Sequence, residues 1–236
     1  MQEPSPSTPS ILLVGASRGL GYAMAQEFLQ RGWSVVGTVR AGARTLLHDL
    51  ADASQGRLAV EVVDITEARQ LVDLRTRLSS RRFDILFVNA GTANRNQDET
   101  IAEVSTEEFV HVMVTNALSP MRAIETLQEL VTEKGLIGIM SSGQGSVSNN
   151  VHGGHEVYRG TKAALNTYMR SYAARQAKSG RALLLLAPGW IRTGLGGPDA
   201  PLTTERAIPD IVGAVIAQQG KPGLQYLDRM GKTVPW

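Results

Sequence analysis

Seven short apolar runs alternate with longer segments of helical periodicity along this chain. Near-continuous apolar runs are typical of strands that are covered on both faces, as in a parallel sheet. The runs are ILLVGA (11–16), WSVVGTV (33–39), RLAVEVVDI (57–65), FDILFVNAG (83–91), GLIGIMSS (135–142), RALLLLAPG (181–189) and the weaker GLQYLD (223–228). Helical spacing marks the segments 19–31, 67–80, 106–132, 156–178 and 204–219. This alternation predicts an α/β fold, a doubly wound seven-stranded parallel sheet with helices on both faces.

The chain of 236 residues is expected to form one domain, because no composition break, linker or repeat divides it. With 42% hydrophobic and 19% charged residues, it can build a sizeable core. We predict a single domain over residues 10–236 and a short flexible tail over residues 1–9. The start, MQEPSPSTPS, lacks the basic and apolar regions of a signal peptide, and no apolar run reaches the roughly 18 residues of a membrane helix. A cytoplasmic protein without a membrane partner is the expectation.

Composition argues against several classes of function. The net charge is only +2 and Lys and Arg form no run, so we expect no nucleic-acid partner. The chain has no Cys, which excludes disulfides, thiolate nucleophiles and Cys-ligated metals. His152 and His155 are interpreted as loop residues near a substrate mouth rather than as metal ligands, so no metal site is predicted.

A glycine-rich turn, GASRGLG (15–21), follows the first apolar run and opens the first helical segment. Its glycines, Gly15, Gly19 and Gly21, are spaced G-x-x-x-G-x-G, which differs from the more familiar G-x-G-x-x-G fingerprint. Glycines at such a junction allow a tight turn and let a pyrophosphate approach backbone N–H groups at a helix N-terminus. A plain strand-to-helix turn is the alternative.

Two arginines favour NADP over NAD as the dinucleotide. Arg18 lies at a helix N-terminus, which is already positive, so its charge is unfavourable there. An anion bound between the guanidinium and the helix N-terminus would remove this repulsion. Arg40 directly follows the second strand, where an acidic residue would bind the ribose 2′-hydroxyl of NAD and an arginine accommodates the 2′-phosphate of NADP. The alternative is two unrelated, solvated arginines.

Strand ends further along the chain provide other candidate contacts. Asp64 could accept a hydrogen bond from the adenine amino group, or it could cap the following helix, a role for which Thr66 competes. Ala90 and Gly91 would let the backbone pass close to a cofactor, with Asn89 bracing the loop. The loops 91–105, 143–155 and 189–203 follow strands four, five and six, and ligands in such sheets lie outside the carboxyl ends of the strands. We expect these loops to surround the ligand.

The segment YRGTK places Tyr158 and Lys162 one helical turn apart, on the same face of a predicted helix. The spacing alone also arises by chance on an ordinary helix surface.

Together these motifs resemble the short-chain dehydrogenase/reductase family over residues 11–236. GASRGLG, NAG (89–91), the serine pair 141–142, YRGTK and PGWIRT (188–193) occur in the order that the family shows. YRGTKAALN, PGWIRTGLGG and LDRMGKTVPW are most similar to its C-factor and sniffer-like carbonyl reductase branch. The resemblance implies a single-domain Rossmann fold, NADP as cofactor, a small-molecule carbonyl or alcohol substrate, and a homodimer or homotetramer.

The resemblance also implies the residues of the site. The catalytic set would be Asn116, Ser142, Tyr158 and Lys162. Together with the motifs above, it predicts cofactor contacts from Gly15, Ser17, Arg18, Gly19, Leu20, Gly21, Arg40, Asp64, Ile65, Asn89, Ala90, Gly91, Tyr158, Lys162, Pro188, Gly189, Ile191 and Thr193.

Two departures from the family pattern affect these assignments. Ser142 precedes Tyr158 by 16 residues, whereas about 13 are usual in the family, so the intervening loop is longer and Ser141 and Ser146 remain alternative candidates. Val14 stands where threonine is usual, which should weaken a hydrogen bond that braces the glycine turn.

Three residues have alternative roles. Asn116 could be a structural hydrogen-bonding residue within its helix, Ser142 could be an ordinary loop residue, and Trp190 could flank the nicotinamide or pack under its loop.

The implied chemistry is the reduction of a carbonyl, with hydride from NADPH and a proton from Tyr158. We expect Lys162 and the positive nicotinamide of NADP⁺ to lower the pKa of Tyr158 from about 10. Ser142 would hydrogen-bond the carbonyl oxygen, and Asn116 would hold a water that links Lys162 to solvent.

Two functions remain open from the sequence. The first is an NADP(H)-dependent enzyme that interconverts a carbonyl compound and an alcohol. The second is a non-catalytic NADPH-binding sensor or signalling protein on the same fold. The complete catalytic set favours the enzyme, and apolar residues in two loops, Val147, Val151, Trp190 and Leu195, suggest a partly apolar substrate.

Overall fold

The computed structural model describes residues 8–236, in which seven parallel strands form a single sheet in the order β3-β2-β1-β4-β5-β6-β7. The strands are β1 Ser10–Val14, β2 Ser34–Val39, β3 Leu58–Val62, β4 Phe83–Val88, β5 Val131–Met140, β6 Ala182–Ala187 and β7 Gly223–Asp228. The predicted doubly wound parallel sheet is confirmed. Strand order reverses between β1 and β4, which opens a crevice at the carboxyl edge of the sheet.

Most of the predicted tail, residues 1–7, lies outside the described residues. Pro9, at the end of the predicted tail, already contacts the sheet: its carbonyl accepts a hydrogen bond from the backbone N–H of Ser34 at 2.9 Å.

Helices cover both faces of the sheet. They are α1 Gly19–Gln30, α2 Leu46–Ala53, α3 Ala68–Arg77, α4 Thr106–Met113, α5 Ser119–Leu127, α6 Glu156–Arg175 and α7 Thr204–Ala217. Side chains of β1 alternate between the two cores. Leu12 and Val14 join the core beneath α3, α5 and α6, whereas Ile11 and Leu13 join the core beneath α1, α2 and α7. This double burial explains why the strands have near-continuous apolar sequences.

The sequence did not predict α2. This helix has only eight residues, and within it only Leu47 is buried, so its apolar pattern is weak. Thr45 starts it with a reciprocal cap, in which the Thr45 side chain binds the His48 backbone and the His48 ring binds the Thr45 backbone. Histidine is not the glutamate or glutamine that identifies such a cap in a sequence.

The helix predicted over 106–132 is interrupted and ends earlier. A five-residue π-helical turn, Val114–Leu118, separates α4 from α5, and a short 3₁₀ turn ends the segment at Leu130. β5 then begins at Val131, four residues before the predicted run, because Val131 pairs with Phe83 across a register irregularity. A side chain at Gly135 would collide there, since its Cβ would lie 2.6 Å from Val131 Cγ1.

None of the helices within residues 8–236 combines the length and the apolar character that crossing a membrane requires.

Candidate active site

The glycine turn between β1 and α1 packs directly against the end of β4. Gly15 has a φ of +89°, and a Cβ there would lie 2.8 Å from Cα and N of Ala90. A Cβ on Gly21 would lie 2.0 Å from the carbonyl oxygen of Gly15. The side-chain amide of Asn89 donates to that same carbonyl at 2.8 Å, so it braces the glycine turn, whereas the sequence predicted that it would brace its own loop after β4. Only glycines permit this approach of the two strand ends.

A second brace comes from β2. The N–H of Gly15 donates to the hydroxyl of Thr38 at 2.9 Å, and Thr38 is fully buried. The sequence suggested that Val14 would leave the turn less well braced, but a threonine on the neighbouring strand supplies a bond. No sequence pattern marked Thr38, because this contact depends on how β1 and β2 are paired.

The mouth of the turn is open and positively charged. Arg18 is the N-cap residue of α1 and is exposed, and the first turn of α1 carries no acidic residue. Arg40 is exposed immediately after β2. Within residues 8–236, neither guanidinium forms an ion pair or a hydrogen bond. Two free cations at the crevice, one at a helix N-terminus, make an anion-binding arrangement.

The loop after β6 lies across from the glycine turn. A Cβ on Gly19 would lie 4.0 Å from the Cβ of Thr193, so the two loops flank one crevice. The Thr193 hydroxyl accepts from the N–H of Gly196 at 3.0 Å, which shapes this loop. Trp190 is 55% exposed, and its indole donates to the carbonyl of Gly196 at 2.7 Å, so it lies over its own loop rather than under it. Pro188 and Ile191 are buried in the base of the loop, while Gly189 is exposed with φ +90°.

Asp64 does not cap a helix. Its Oδ1 accepts from the backbone N–H of Thr66 at 2.9 Å and from the Thr66 hydroxyl at 2.7 Å. α3 begins later, with Glu67 at the N-cap, so the capping alternative for Asp64 and Thr66 is wrong. Ile65 is buried beside it. The half-buried Asp64 side chain at the end of β3 stays a predicted adenine contact.

Three side chains from two elements converge next to the end of β4. Tyr158 and Lys162 lie on one face of α6, with Lys162 Nζ 5.7 Å from the centroid of the tyrosine ring. The buried Lys162 ammonium donates to the carbonyl of Met140 at 3.0 Å, and a Cβ on Gly91 would lie 3.5 Å from Nζ. Ser142 follows β5; its hydroxyl accepts from the N–H of Gln144 at 3.1 Å, and its side chain lies near enough to Tyr158 to act on the pKa of the tyrosine.

Burial dominates the electrostatics of this group. It raises the pKa of Tyr158 to about 12, against which the hydrogen bond with Ser142 acts to lower it. It also lowers the pKa of Lys162 to about 8. In the protein alone, therefore, the pKa of Tyr158 is shifted in the direction opposite to the expected one, because desolvation outweighs the favourable contacts. A hydroxyl with this pKa keeps its proton at neutral pH and can act as a proton donor.

The side-chain amide of Asn116 is occupied by hydrogen bonds to other parts of the protein. It lies in the π-helical turn, and its Oδ1 accepts from the N–H of Thr92 at 2.8 Å. Its Nδ2 donates to the carbonyl of Thr92 at 2.8 Å and to the hydroxyl of Thr161 at 3.0 Å. These bonds join the loop after β4 to α6, so a relay water at this residue would have to bind its backbone. A π-helical turn disturbs the usual i to i−4 bonds and can leave a carbonyl free for that purpose.

The two alternative serines point away from the site. Ser141 is buried, and its hydroxyl donates to the Asn166 side chain at 2.6 Å. Ser146 is buried, and its hydroxyl accepts from the N–H of Asn149 at 3.1 Å. Neither hydrogen-bonds to Tyr158, so Ser142 is the serine that the structure brings to the tyrosine.

Comparison with known proteins agrees with this geometry. The family model described as enoyl-(acyl carrier protein) reductase, a short-chain dehydrogenase/reductase model, matches residues 15–208. A Burkholderia multivorans protein described as a short-chain dehydrogenase/reductase and solved with bound NADP is 60% identical, with a TM-score of 0.96, over 97% of this chain and 100% of that one.

Two carbonyl reductase structures are also similar. One from Pseudomonas aeruginosa PAO1, in complex with NADP, is 34% identical with a TM-score of 0.89, over 98% of this chain and 100% of that one. Sniffer of D. melanogaster is 25% identical with a TM-score of 0.86, over 97% of this chain and 100% of that one. The similarity to Sniffer agrees with the sniffer-like motifs noted in the sequence.

Proposed function

This chain belongs to the short-chain dehydrogenase/reductase family, and from that membership we propose that it is an NADP(H)-dependent oxidoreductase that interconverts a carbonyl compound and an alcohol. One observation carries the proposal: beside the crevice at the carboxyl edge of the sheet, Lys162 Nζ lies 5.7 Å from the ring centroid of the partly buried Tyr158, and the Ser142 side chain acts to lower the pKa of that tyrosine. A single domain would then carry both the cofactor site and the substrate site.

The residues present fit NADP. Gly15 and Gly21 leave the backbone close to the end of β4, where any side chain would collide. The N-terminus of α1 provides free N–H groups for a pyrophosphate. Arg18 and Arg40 are exposed and unpaired within the described residues, which suits a ligand that carries an additional 2′-phosphate. Gly91 and Thr193 line the path toward Tyr158 from two other loops.

Each member of the catalytic group has a role that its surroundings support. NADPH, when bound, supplies the hydride that the carbonyl carbon gains. Tyr158 donates its hydroxyl proton to the carbonyl oxygen, so that an alcohol results. The Ser142 hydroxyl hydrogen-bonds the same oxygen and stabilises the charge that develops there. Lys162 holds an ammonium near Tyr158 and helps to return a proton to it through water held at the backbone near Asn116.

The substrate class is inferred from the loops around the mouth. Val147 and Val151 in the loop between β5 and α6 are 73% and 78% exposed, and Trp190 and Leu195 are exposed in the loop after β6. Exposed apolar side chains on both loops favour a partly apolar aldehyde, ketone or diketone. Assembly into a homodimer or homotetramer stays a prediction.

The test is consumption of NADPH and of NADH by the purified protein with a panel of aldehydes, ketones and diketones. Tyr158→Phe should lower kcat by about a thousandfold while leaving NADPH binding nearly intact, because it removes one proton donor and no cofactor-binding charge. Tyr172→Phe is the matched control, since Tyr172 is a buried tyrosine of the same helix that bonds instead to Gln128. Unchanged turnover in Tyr158→Phe would contradict the assignment of Tyr158 as the proton donor. Tight NADPH binding without turnover of any panel member would favour the sensor.

A further inference from the structure

Three side chains from α6 and β7 hold the backbone that carries Ser142. The Lys162 ammonium donates to the carbonyl of Met140 at 3.0 Å, and the Asn166 amide donates to the carbonyl of Gly145 at 3.0 Å. The third is Tyr226 of β7, whose hydroxyl donates to the carbonyl of Ser142 itself. Of the three side chains, only Lys162 belongs to the catalytic set predicted from the sequence.

Tyr226 reaches this carbonyl from a distant strand. β7 is two strands from β5 in the sheet, and neighbouring strands lie about 4.8 Å apart, so the two backbones are separated by about 10 Å. Only a long, rigid side chain bridges that distance with a hydrogen-bonding group at its end. Burial raises the pKa of Tyr226, and the nearby side chains of Asn166 and Ser141 act to lower it.

The ring of Tyr226 is itself fixed. It is 1% exposed, and Leu185 of β6 is its partner in the strand register. It packs against the indole of Trp236 with a centroid distance of 5.3 Å, and the guanidinium of Arg170 covers that indole at 4.7 Å. The backbone carbonyl of Trp236 accepts from the N–H of Ser148 at 2.9 Å, in the long loop between β5 and α6. These contacts fix the ring of Tyr226 and therefore the position of its hydroxyl.

We propose that Tyr226 is a positioning residue for Ser142: by binding the Ser142 carbonyl, it sets the backbone from which the serine hydroxyl reaches Tyr158. The loop that follows Ser142 is longer than is usual in the family. A longer loop holds the backbone at its first residue, Ser142, less firmly. The hydrogen bond from β7 replaces that restraint. Tyr226 acts through Ser142, whose carbonyl it binds.

This inference rests on the proposed function, and a double-mutant experiment separates the two. The proteins are the wild type, Tyr226→Phe, Tyr172→Phe, Ser142→Ala and the Ser142→Ala/Tyr226→Phe double variant. Each is assayed with NADPH and the best-reduced carbonyl compound of the panel, and NADPH affinity is measured by fluorescence. Tyr172→Phe controls for the loss of a buried tyrosine hydroxyl, since Tyr172 binds Gln128 and lies outside the site.

We expect Tyr226→Phe to lower kcat about tenfold with NADPH affinity changed less than about twofold, and Tyr172→Phe to leave kcat unchanged. In the Ser142→Ala background, Tyr226→Phe should lower kcat by less than about twofold, because the hydroxyl that it positions is already gone. A merely structural role would lower kcat equally in both backgrounds.

Should Tyr226→Phe fold too poorly to assay, Asn166→Ala provides the second variant, since it removes the bond to Gly145 and is expected to act in the same direction. The inference alone is overturned if Tyr226→Phe has the same kcat as Tyr172→Phe. It is also overturned if Tyr226→Phe lowers kcat as much in the Ser142→Ala background as in the wild type. A wild type that reduces no compound overturns the proposed function and the inference together.

Discussion

The side-chain amide of Asn89 donates to the carbonyl of Gly15 at 2.8 Å, which ties the end of β4 to the glycine turn after β1. The two strands are neighbours in the sheet, and the strand order reverses between them. The bond therefore fixes the crevice at the point where this class of fold binds ligands.

Replacing Gly15 by alanine should disrupt this crevice. A Cβ at Gly15 would lie 2.8 Å from the Ala90 backbone, and φ is +89°, so we expect a loss of about 2–4 kcal/mol in the free energy of unfolding and weaker NADPH binding. Gly32→Ala is the control, since Gly32 has φ +81° and no atom within 4 Å of an added Cβ. It should cost about 1 kcal/mol and leave NADPH binding unchanged. Urea unfolding and NADPH titration measure both effects, and equal losses would contradict the close approach.

Arg40 should control the choice between NADP and NAD. Its exposed guanidinium is unpaired within residues 8–236, and a charge-assisted bond to a phosphate is worth about 1.5–3 kcal/mol. We expect Arg40→Ala to raise the KM for NADPH about 10- to 100-fold and to leave the KM for NADH unchanged. Arg69→Ala, at an exposed arginine of α3 paired with Asp73, should change neither. An equal rise for both cofactors would assign Arg40 to a part of the dinucleotide that NAD and NADP share.

Ser142 should matter for activity far more than its neighbours do. Ser142→Ala removes the hydroxyl that acts on Tyr158 and would hydrogen-bond the substrate oxygen, and we expect kcat to fall about a hundredfold or more, with little change in stability. Ser146→Ala removes a buried hydroxyl that binds Asn149, and we expect a loss of about 1 kcal/mol in the free energy of unfolding with kcat retained. A larger loss of kcat in Ser146→Ala would reverse the assignment of the two serines.

Lys162 should make stability depend on pH above neutrality. Burial lowers its pKa from 10.5 to about 8. Below pH 8 the ammonium is charged in the folded and the unfolded chain, and the folded chain bears a desolvation cost on the order of 3 kcal/mol. Between pH 8 and 10.5 the unfolded chain binds more protons, so stability rises with pH.

We therefore expect the wild type to gain about 2 kcal/mol from pH 7 to pH 9.5, measured by urea unfolding. Lys162→Met should lack this gain, and the exposed Lys221→Met should retain it. The same gain in Lys162→Met as in the wild type would show that another group is responsible.

Much of the site could be predicted because its residues stand at strand and helix ends that the pattern of the chain already marks. Gly15, Asn89, Ser142 and Tyr158 each lie within a few residues of such a boundary. The contacts missed, those of Thr38, Thr92, Thr161 and Tyr226, are hydrogen bonds between elements distant in sequence. These residues are unremarkable locally, and their roles arise from strand pairing and helix packing.

The sheet of seven strands and the placement of Tyr158 and Lys162 on one helix face could be predicted from the chain alone, because periodicity and i, i+4 spacing are local properties. The packing of distant elements was needed to show which of three serines lies near Tyr158, that the Asn116 side chain binds the backbone of Thr92, and that Tyr226 of β7 binds the carbonyl of Ser142. It also decided the pKa of Tyr158, because desolvation depends on everything packed around the hydroxyl, and no spacing along the chain encodes that burial.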